Sequence, residues 1–146
     1  MAPMTRAPGA SRLARMDTLP PSLDDIEALA RTAWEALPAE FRTLAGDVIF
    51  RIEDFADDAV LADLGIDDPF ELSGLYHGVN LAHRSISDPR PLTPMVFLYR
   101  RPLLDEWIER GDIALADLVA HVLVHEVGHH FGFSDEDMHA VLDQTE

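Results

Sequence analysis

The chain has 146 residues, of which 47% are hydrophobic, so it is long enough to form a single domain with its own core. It contains no cysteine, which excludes disulfides and thiolate metal ligands and leaves histidine and carboxylate side chains to hold any ion. The formal net charge of −16 argues against nucleic acid and membrane lipid as partners, because both present negative phosphates.

The chain begins with a segment, residues 1–21, that is rich in Pro, Ala, Arg and Gly and has no hydrophobic periodicity. We predict that this segment is a disordered leader and that residues 22–146 form one domain. The sequence has neither the apolar core of a secretory signal nor a run of 18 apolar residues. We therefore expect a cytoplasmic protein.

The first half of the domain is predicted to contain a helix, a strand and a second, shorter helix. Ser22 is followed by Asp25 at the spacing of a capping box, and apolar residues then recur at three- and four-residue intervals. Pro38 is expected to end or kink this helix. Alternating apolar residues over 48–52 predict a half-buried strand, and residues 57–64 predict a short helix or turn closed by a glycine.

The second half is predicted to contain two strands and two helices. Residues 72–81 include two glycines and have mixed polarity, which is typical of an irregular edge strand or of a strand with a bulge. Residues 95–100 form the clearest strand, and Pro102 is expected to begin the helix after it, because the first helical position tolerates proline. Asp112 can cap a long helix that extends through Phe131.

The long helix carries the most informative motif of the chain, HExxH, at His125, Glu126 and His129. At about 100° per residue, the two histidines lie about 40° apart on one helix face and can reach a single ion. Glu126 lies about 60° from His129, where it can accept a proton from the attacking water. A catalytic zinc ion usually has three protein ligands, so a third donor is required.

Asp135 is the predicted third ligand. Gly132, three residues after His129, can end the helix in a left-handed conformation and let the chain double back. Asp135 also lies in the first turn of a predicted C-terminal helix, where the helix dipole favours an acid even without a metal ion. Asp137 and His139 therefore remain alternative third ligands. We expect one Zn²⁺ ion, although two imidazoles and a carboxylate also suit iron or manganese.

Other polar side chains near the motif have more than one interpretation. Asp117 and His121 precede His125 at four-residue steps, so they can either support a metal-bound imidazole or form an ordinary pair on the helix surface. Hydrolysis of an amide also requires a donor to the oxyanion. The candidates, none of which is assigned to this role, are Tyr76, His77, Tyr99 and Arg100.

In its HExxHxxGxxD motif the chain resembles the zincin superfamily of metallopeptidases, and the extension is similar to that of metzincins with aspartate in place of the commoner histidine. The segments LSGLYHG at 72–78 and FLYRRP at 97–102 are similar to those of small bacterial zincin-like, or minimal matrix-metalloprotease-like, proteins. The resemblance covers roughly residues 23–142. The methionine-containing turn of metzincins is not matched, since Met138 is the sole methionine after Asp135.

The resemblance implies a compact α+β zincin-like domain. A small mixed sheet would pack on an N-terminal helix and on the long metal-binding helix, and a short C-terminal helix would follow. The implied activity is that of a zinc-dependent metallopeptidase, with peptides or unfolded protein segments as substrates.

The sequence thus predicts an enzyme that hydrolyses peptide bonds with Glu126 as the general base. The alternative is a catalytically silent metal-binding domain that recognises a partner. The short C-terminus favours the alternative, because a substrate would have little wall to bind against beyond the motif. Glu126 favours the enzyme, because a structural zinc site needs no general base beside the metal.

Overall fold

The computed structural model describes residues 19–77 and 94–131, with the backbone alone described at 44, 45 and 129–131. The third-ligand candidates Asp135, Asp137 and His139, the terminal helix and the leader up to residue 18 lie outside the described residues. In chain order the described elements are α1 (Leu23–Ala36), α2 (Ala39–Ala45), β1 (Ile49–Glu53), α3 (Asp58–Leu64), a 3₁₀ turn (Pro69–Glu71), β2 (Gly74–His77), β3 (Met95–Tyr99), α4 (Arg100–Arg110) and α5 (Leu115–Phe131).

The three strands form a mixed sheet in the order β1, β3, β2. The central strand β3 is parallel to β1 and antiparallel to β2, and its Val96 pairs with Phe50 on one side and Tyr76 on the other. In the described part of the chain β2 therefore lies at a sheet edge, as predicted. Helices and a small mixed sheet confirm the predicted α+β class.

One face of the sheet is covered by α1 and α5, and this layer contains the main core. Alternation along β3 points Val96 and Leu98 toward these helices, and both are fully buried. Phe97 and Tyr99 point to the opposite face, where they pack with Leu61 of α3. Each fully buried aliphatic side chain contributes roughly 1.5–3 kcal/mol, so the helix-covered face contributes most of the stability.

The start of α1 confirms the predicted capping box. The Asp25 backbone N–H donates to Ser22 Oγ at 3.1 Å, and the Ser22 N–H donates to Asp25 Oδ2 at 2.8 Å. Just before the cap, the Pro21 carbonyl accepts a hydrogen bond from Arg100 Nε. The entry to α1 is thereby joined to the first residue of α4.

Several element boundaries differ from the predicted ones. Pro38 ends α1, as expected, but α2 follows at once and was not predicted. Helix α4 begins at Arg100, two residues before the predicted start at Pro102. Pro102 then lies in the first turn, where proline is tolerated because the N–H groups there lack intrahelical partners. Helix α5 begins at Leu115, three residues after the predicted cap Asp112. Among the described residues, the helices are too short or too polar to cross a membrane.

Candidate metal centre

The candidate metal centre lies on α5, whose backbone continues without a break from Leu115 to Phe131. His125 and His129 are one turn apart on this helix, as the motif predicts, and the side chains of His125 and Glu126 are half-buried. Among the described side chains, no three potential ligands lie together. The predicted ligand set includes the His129 side chain and Asp135, which are not described, so it remains a prediction.

The carboxylate of Glu126 is held by the edge strand. Its Oε2 accepts a hydrogen bond of 2.7 Å from the backbone N–H of Tyr76, a residue of β2 that lies 50 positions earlier in the chain. A bond of this length is typical of a donor facing a charged oxygen. The contact fixes the orientation of the carboxylate and joins the motif helix to the sheet.

Gly74 explains how β2 can come this close to α5. A Cβ atom at this position would lie 2.7 Å from Cγ1 of Val122 and 3.4 Å from Cγ of Glu126. From the sequence, the glycines of this segment indicated only an irregular edge strand or a bulge. The structure instead shows that Gly74 provides room for the packing of β2 against the motif helix.

A cleft of about 250 Å³ opens beside His125 and Glu126. Its described lining comes from three elements of the fold, namely the segment before β2, α4 and α5, and consists of Ser73, Glu106, Arg110, His121, Val122, His125 and Glu126. The lining residues that precede α5 in the chain were not predicted from the sequence. Glu106 and Arg110 are four residues apart on α4 and so share a face, but nothing in the sequence indicated that this face lines the cleft.

His121 contacts His125 directly. Their ring centroids are 4.6 Å apart and the planes are tilted by 57°. His121 also lines the cleft, whereas Asp117, one turn earlier, is exposed. Of these three polar residues on α5, Asp117 is thus exposed, whereas His121 and His125 pack together and limit each other's ring orientation.

Of the described residues that line the cleft, none is one of the four oxyanion candidates. Tyr99 is 1% exposed, and its pKa is raised to about 12, first by burial and then by the negative charges of Glu53, Asp57 and Glu126. Tyr99 is thus a core residue on the sheet face opposite α1 and α5.

The other three candidates also have structural roles. Arg100 donates to the Pro21 carbonyl and to Asp54 at 3.0 Å. The ring of His77 packs edge-on against Phe97 with a centroid distance of 6.4 Å. Tyr76 contributes its backbone N–H to Glu126. Polar donors in the cleft are instead supplied by Ser73, Arg110 and His121.

Comparison with known proteins gives one match and one negative result. No curated protein matches the chain. A family model does match, over residues 45–144, a span that includes β1, the edge strand, the motif helix and Asp135. The description of that family is zincin-like metallopeptidase.

Proposed function

Because the chain belongs to the zincin-like metallopeptidase family, we propose that it is a zinc-dependent peptidase that cleaves peptides or unfolded protein segments. In this proposal Glu126 is the general base, and His125, His129 and Asp135 hold one zinc ion. The observation that carries the proposal is that His125 and Glu126 line one open cleft, with the Glu126 carboxylate oriented by a backbone N–H.

The predicted ligand set suits a zinc ion. Two imidazoles and a carboxylate are a donor set that catalytic zinc uses, and the unbroken helix places the backbones of His125 and His129 one turn apart. When bound, zinc supplies a charge that polarises the scissile carbonyl and acidifies the attacking water. The open cleft beside His125 leaves space for a substrate.

The remaining chemistry is assigned to Glu126. It accepts the proton of the attacking water and passes it to the leaving amine. The Tyr76 N–H holds the carboxylate in place at 2.7 Å, and because this donor is part of the backbone, it does not depend on a side-chain rotamer. His121 packs against His125 and restricts rotation of that ring. Such positioning reduces the reorganisation that the reaction requires.

The second candidate is a metal-binding domain without turnover that recognises a partner. One observation favours it: the hydrogen bond from Tyr76 gives the Glu126 carboxylate a structural role in joining β2 to α5. The presence of a glutamate at this position is thus accounted for without catalysis. An experiment must therefore separate the acceptor role of Glu126 from its role as a base.

Glu126→Gln makes this separation, because the amide oxygen can still accept the Tyr76 N–H but cannot take up a proton. We expect unchanged zinc content by elemental analysis and a fall in kcat/KM of about 100-fold or more on a diverse peptide library at neutral pH. Glu40→Gln, at an exposed position of α2, is the matched control and should cleave normally. Zinc in both native and Glu126→Gln protein with cleavage in neither would favour the binding domain.

The third ligand is tested separately by zinc affinity. Asp135→Ala should weaken zinc binding by more than about 100-fold, because even partners outside the ligand shell contribute about 10–100-fold. Asp137→Ala should leave the affinity nearly unchanged. Competition with a chelating dye measures both variants, and equal affinities for native protein and Asp135→Ala would reject Asp135 as a ligand.

A further inference from the structure

We infer that Arg110 recognises a carboxylate on the substrate, so that the cleft selects peptides with an acidic side chain or a free C-terminus close to the scissile bond. The inference rests on the proposed function and adds a substrate class to it. Arg110 lies at the end of α4, and it lines the same cleft as His125 and Glu126.

The size of the cleft places Arg110 close to the reacting groups. Pockets for drug-sized ligands usually measure about 300–1,000 Å³, and this cleft measures about 250 Å³. It therefore holds a short peptide segment. A segment that reaches Glu126 in this space also lies near Arg110, because both residues line it.

The present partner of Arg110 is weakly held. Nη2 of Arg110 lies 3.8 Å from Oε1 of Glu106, one turn earlier on the same helix, and the two side chains are 47% and 41% exposed. Exposed pairs of this kind contribute little to stability. A substrate carboxylate can replace Glu106, because a guanidinium group binds carboxylates through two parallel hydrogen bonds.

Beside Arg110 the cleft favours an anionic over a cationic substrate group. Among the described lining residues Arg110 is the permanent cation and Glu106 and Glu126 are the carboxylates, of which Glu126 already accepts the Tyr76 N–H. A bound zinc ion would add further positive charge, so a substrate cation directed to Glu106 would have to approach both Arg110 and that ion. Elsewhere a chain of net charge −16 repels carboxylates, so any preference for them should depend on this one arginine.

Binding to short peptides tests the inference without turnover. The probes are labelled alanine-glycine peptides, acetylated and amidated, that carry one Asp or one Asn at successive positions; a further Asn peptide has a free C-terminal carboxylate. Their Kd values are measured by fluorescence anisotropy on zinc-loaded Glu126→Gln protein. We expect a carboxylate in the preferred position to tighten binding by about three- to tenfold at low salt.

The preference should disappear when Arg110→Gln is added. Arg31→Gln is the matched control, because Arg31 forms the same kind of pair with Glu27 on α1, at 3.4 Å, and its loss changes the net charge equally. This variant should keep the preference. Whether the Asp peptide or the peptide with a free C-terminus responds to Arg110→Gln identifies the source of the carboxylate.

Equal Kd values for all probes, no saturable binding of any probe, or a preference that survives Arg110→Gln would overturn the inference. So would a preference lost equally in Arg31→Gln, because long-range charge would then explain it. A preference without cleavage by native protein rejects the peptidase but supports Arg110. Cleavage without a preference rejects Arg110 alone.

Discussion

The edge strand packs closely on the motif helix at Gly74, so a single added methyl group tests what this packing contributes. In Gly74→Ala the new Cβ would lie 2.7 Å from Cγ1 of Val122 and 3.3 Å from the carbonyl oxygen of Phe97. At a separation under 3.0 Å something must shift, and the branched side chain of Val122 has few rotamers with which to move aside. Because overpacking typically destabilises a core by about 1–3 kcal/mol, we expect a loss of that size.

The same shift should lower activity per folded molecule. Displacing β2 moves the Tyr76 N–H away from Glu126, which it now contacts at 2.7 Å. Gly46→Ala is the control: Gly46 has φ 67° and ψ −144°, close to a backbone region that glycine alone enters readily, and nothing lies within 4 Å of an added Cβ. Only backbone strain of about 1–3 kcal/mol is therefore expected. Urea unfolding gives the stabilities, and kcat/KM is compared at equal folded concentration. Gly46→Ala should lose stability alone, whereas Gly74→Ala should lose both.

A double-mutant cycle identifies the clash itself. Val122→Ala removes the methyl group that the new Cβ would meet, so Gly74→Ala should cost less in that background, with a coupling of about 0.5–3 kcal/mol. An identical cost in both backgrounds, or a Gly74→Ala protein as stable as the native one, would refute the steric explanation. Normal kcat/KM in a destabilised Gly74→Ala protein would show that the strand does not position Glu126.

Two further predictions concern stability. Below about pH 10 the Tyr99 phenol is protonated in both the folded and the unfolded state. Burial raises its pKa in the folded state from 10.0 to about 12. As the pH rises between these values the unfolded state loses the proton first, so the free energy of unfolding should fall, by at most about 3 kcal/mol. Urea unfolding across this range should show the slope in native protein and lose it in Tyr99→Phe; the same slope in both would contradict the assignment. Ser22→Ala should lose about 1 kcal/mol because it removes the acceptor for Asp25, while Ser22→Gly should lose only a few tenths. Thermal unfolding measures both, and an unchanged Tm in Ser22→Ala would show that the cap contributes nothing.

Features that depend on neighbouring residues were predictable from the sequence. The capping box at Ser22 involves two residues three positions apart, and Gly65 ends α3 as predicted, in a left-handed conformation with φ 68°. The motif helix was predicted because the spacing of His125, Glu126 and His129 requires only helical periodicity. In each case the residues that carry the pattern and the helix that they predict lie within one or two helical turns of each other along the chain.

Contacts between distant elements were not predictable. The donor to Glu126 is a backbone N–H, which every residue except proline carries, so nothing in the side chain of Tyr76 identifies it. Arg110 lines the cleft only because α4 packs against α5, a matter of tertiary arrangement. Helix α2 was missed because its seven residues are too few for a clear periodic pattern after Pro38.

Tyr99 shows that more could have been inferred from strand alternation. Val96 and Leu98 of β3 face the motif helix, so the period of two directs Phe97 and Tyr99 to the other face. Tyr99 became an oxyanion candidate because it is polar and belongs to a segment that carries the family resemblance. Applying the alternation to β3 as a whole would have removed it from that set.

The motif helix also forms the centre of the core, since Leu118, Val119 and Leu123 are fully buried. Breaking the backbone hydrogen bonds of α5 would dismantle this core, so amide protons near His125 should exchange with solvent only through global unfolding. The edge strand β2, which has four residues and pairs only with β3 in the described sheet, can open at lower free energy. Glu126 thus joins a helix that should exchange slowly to a strand that should exchange faster, and a ligand that immobilises β2 should slow exchange in the strand while leaving the helix unchanged.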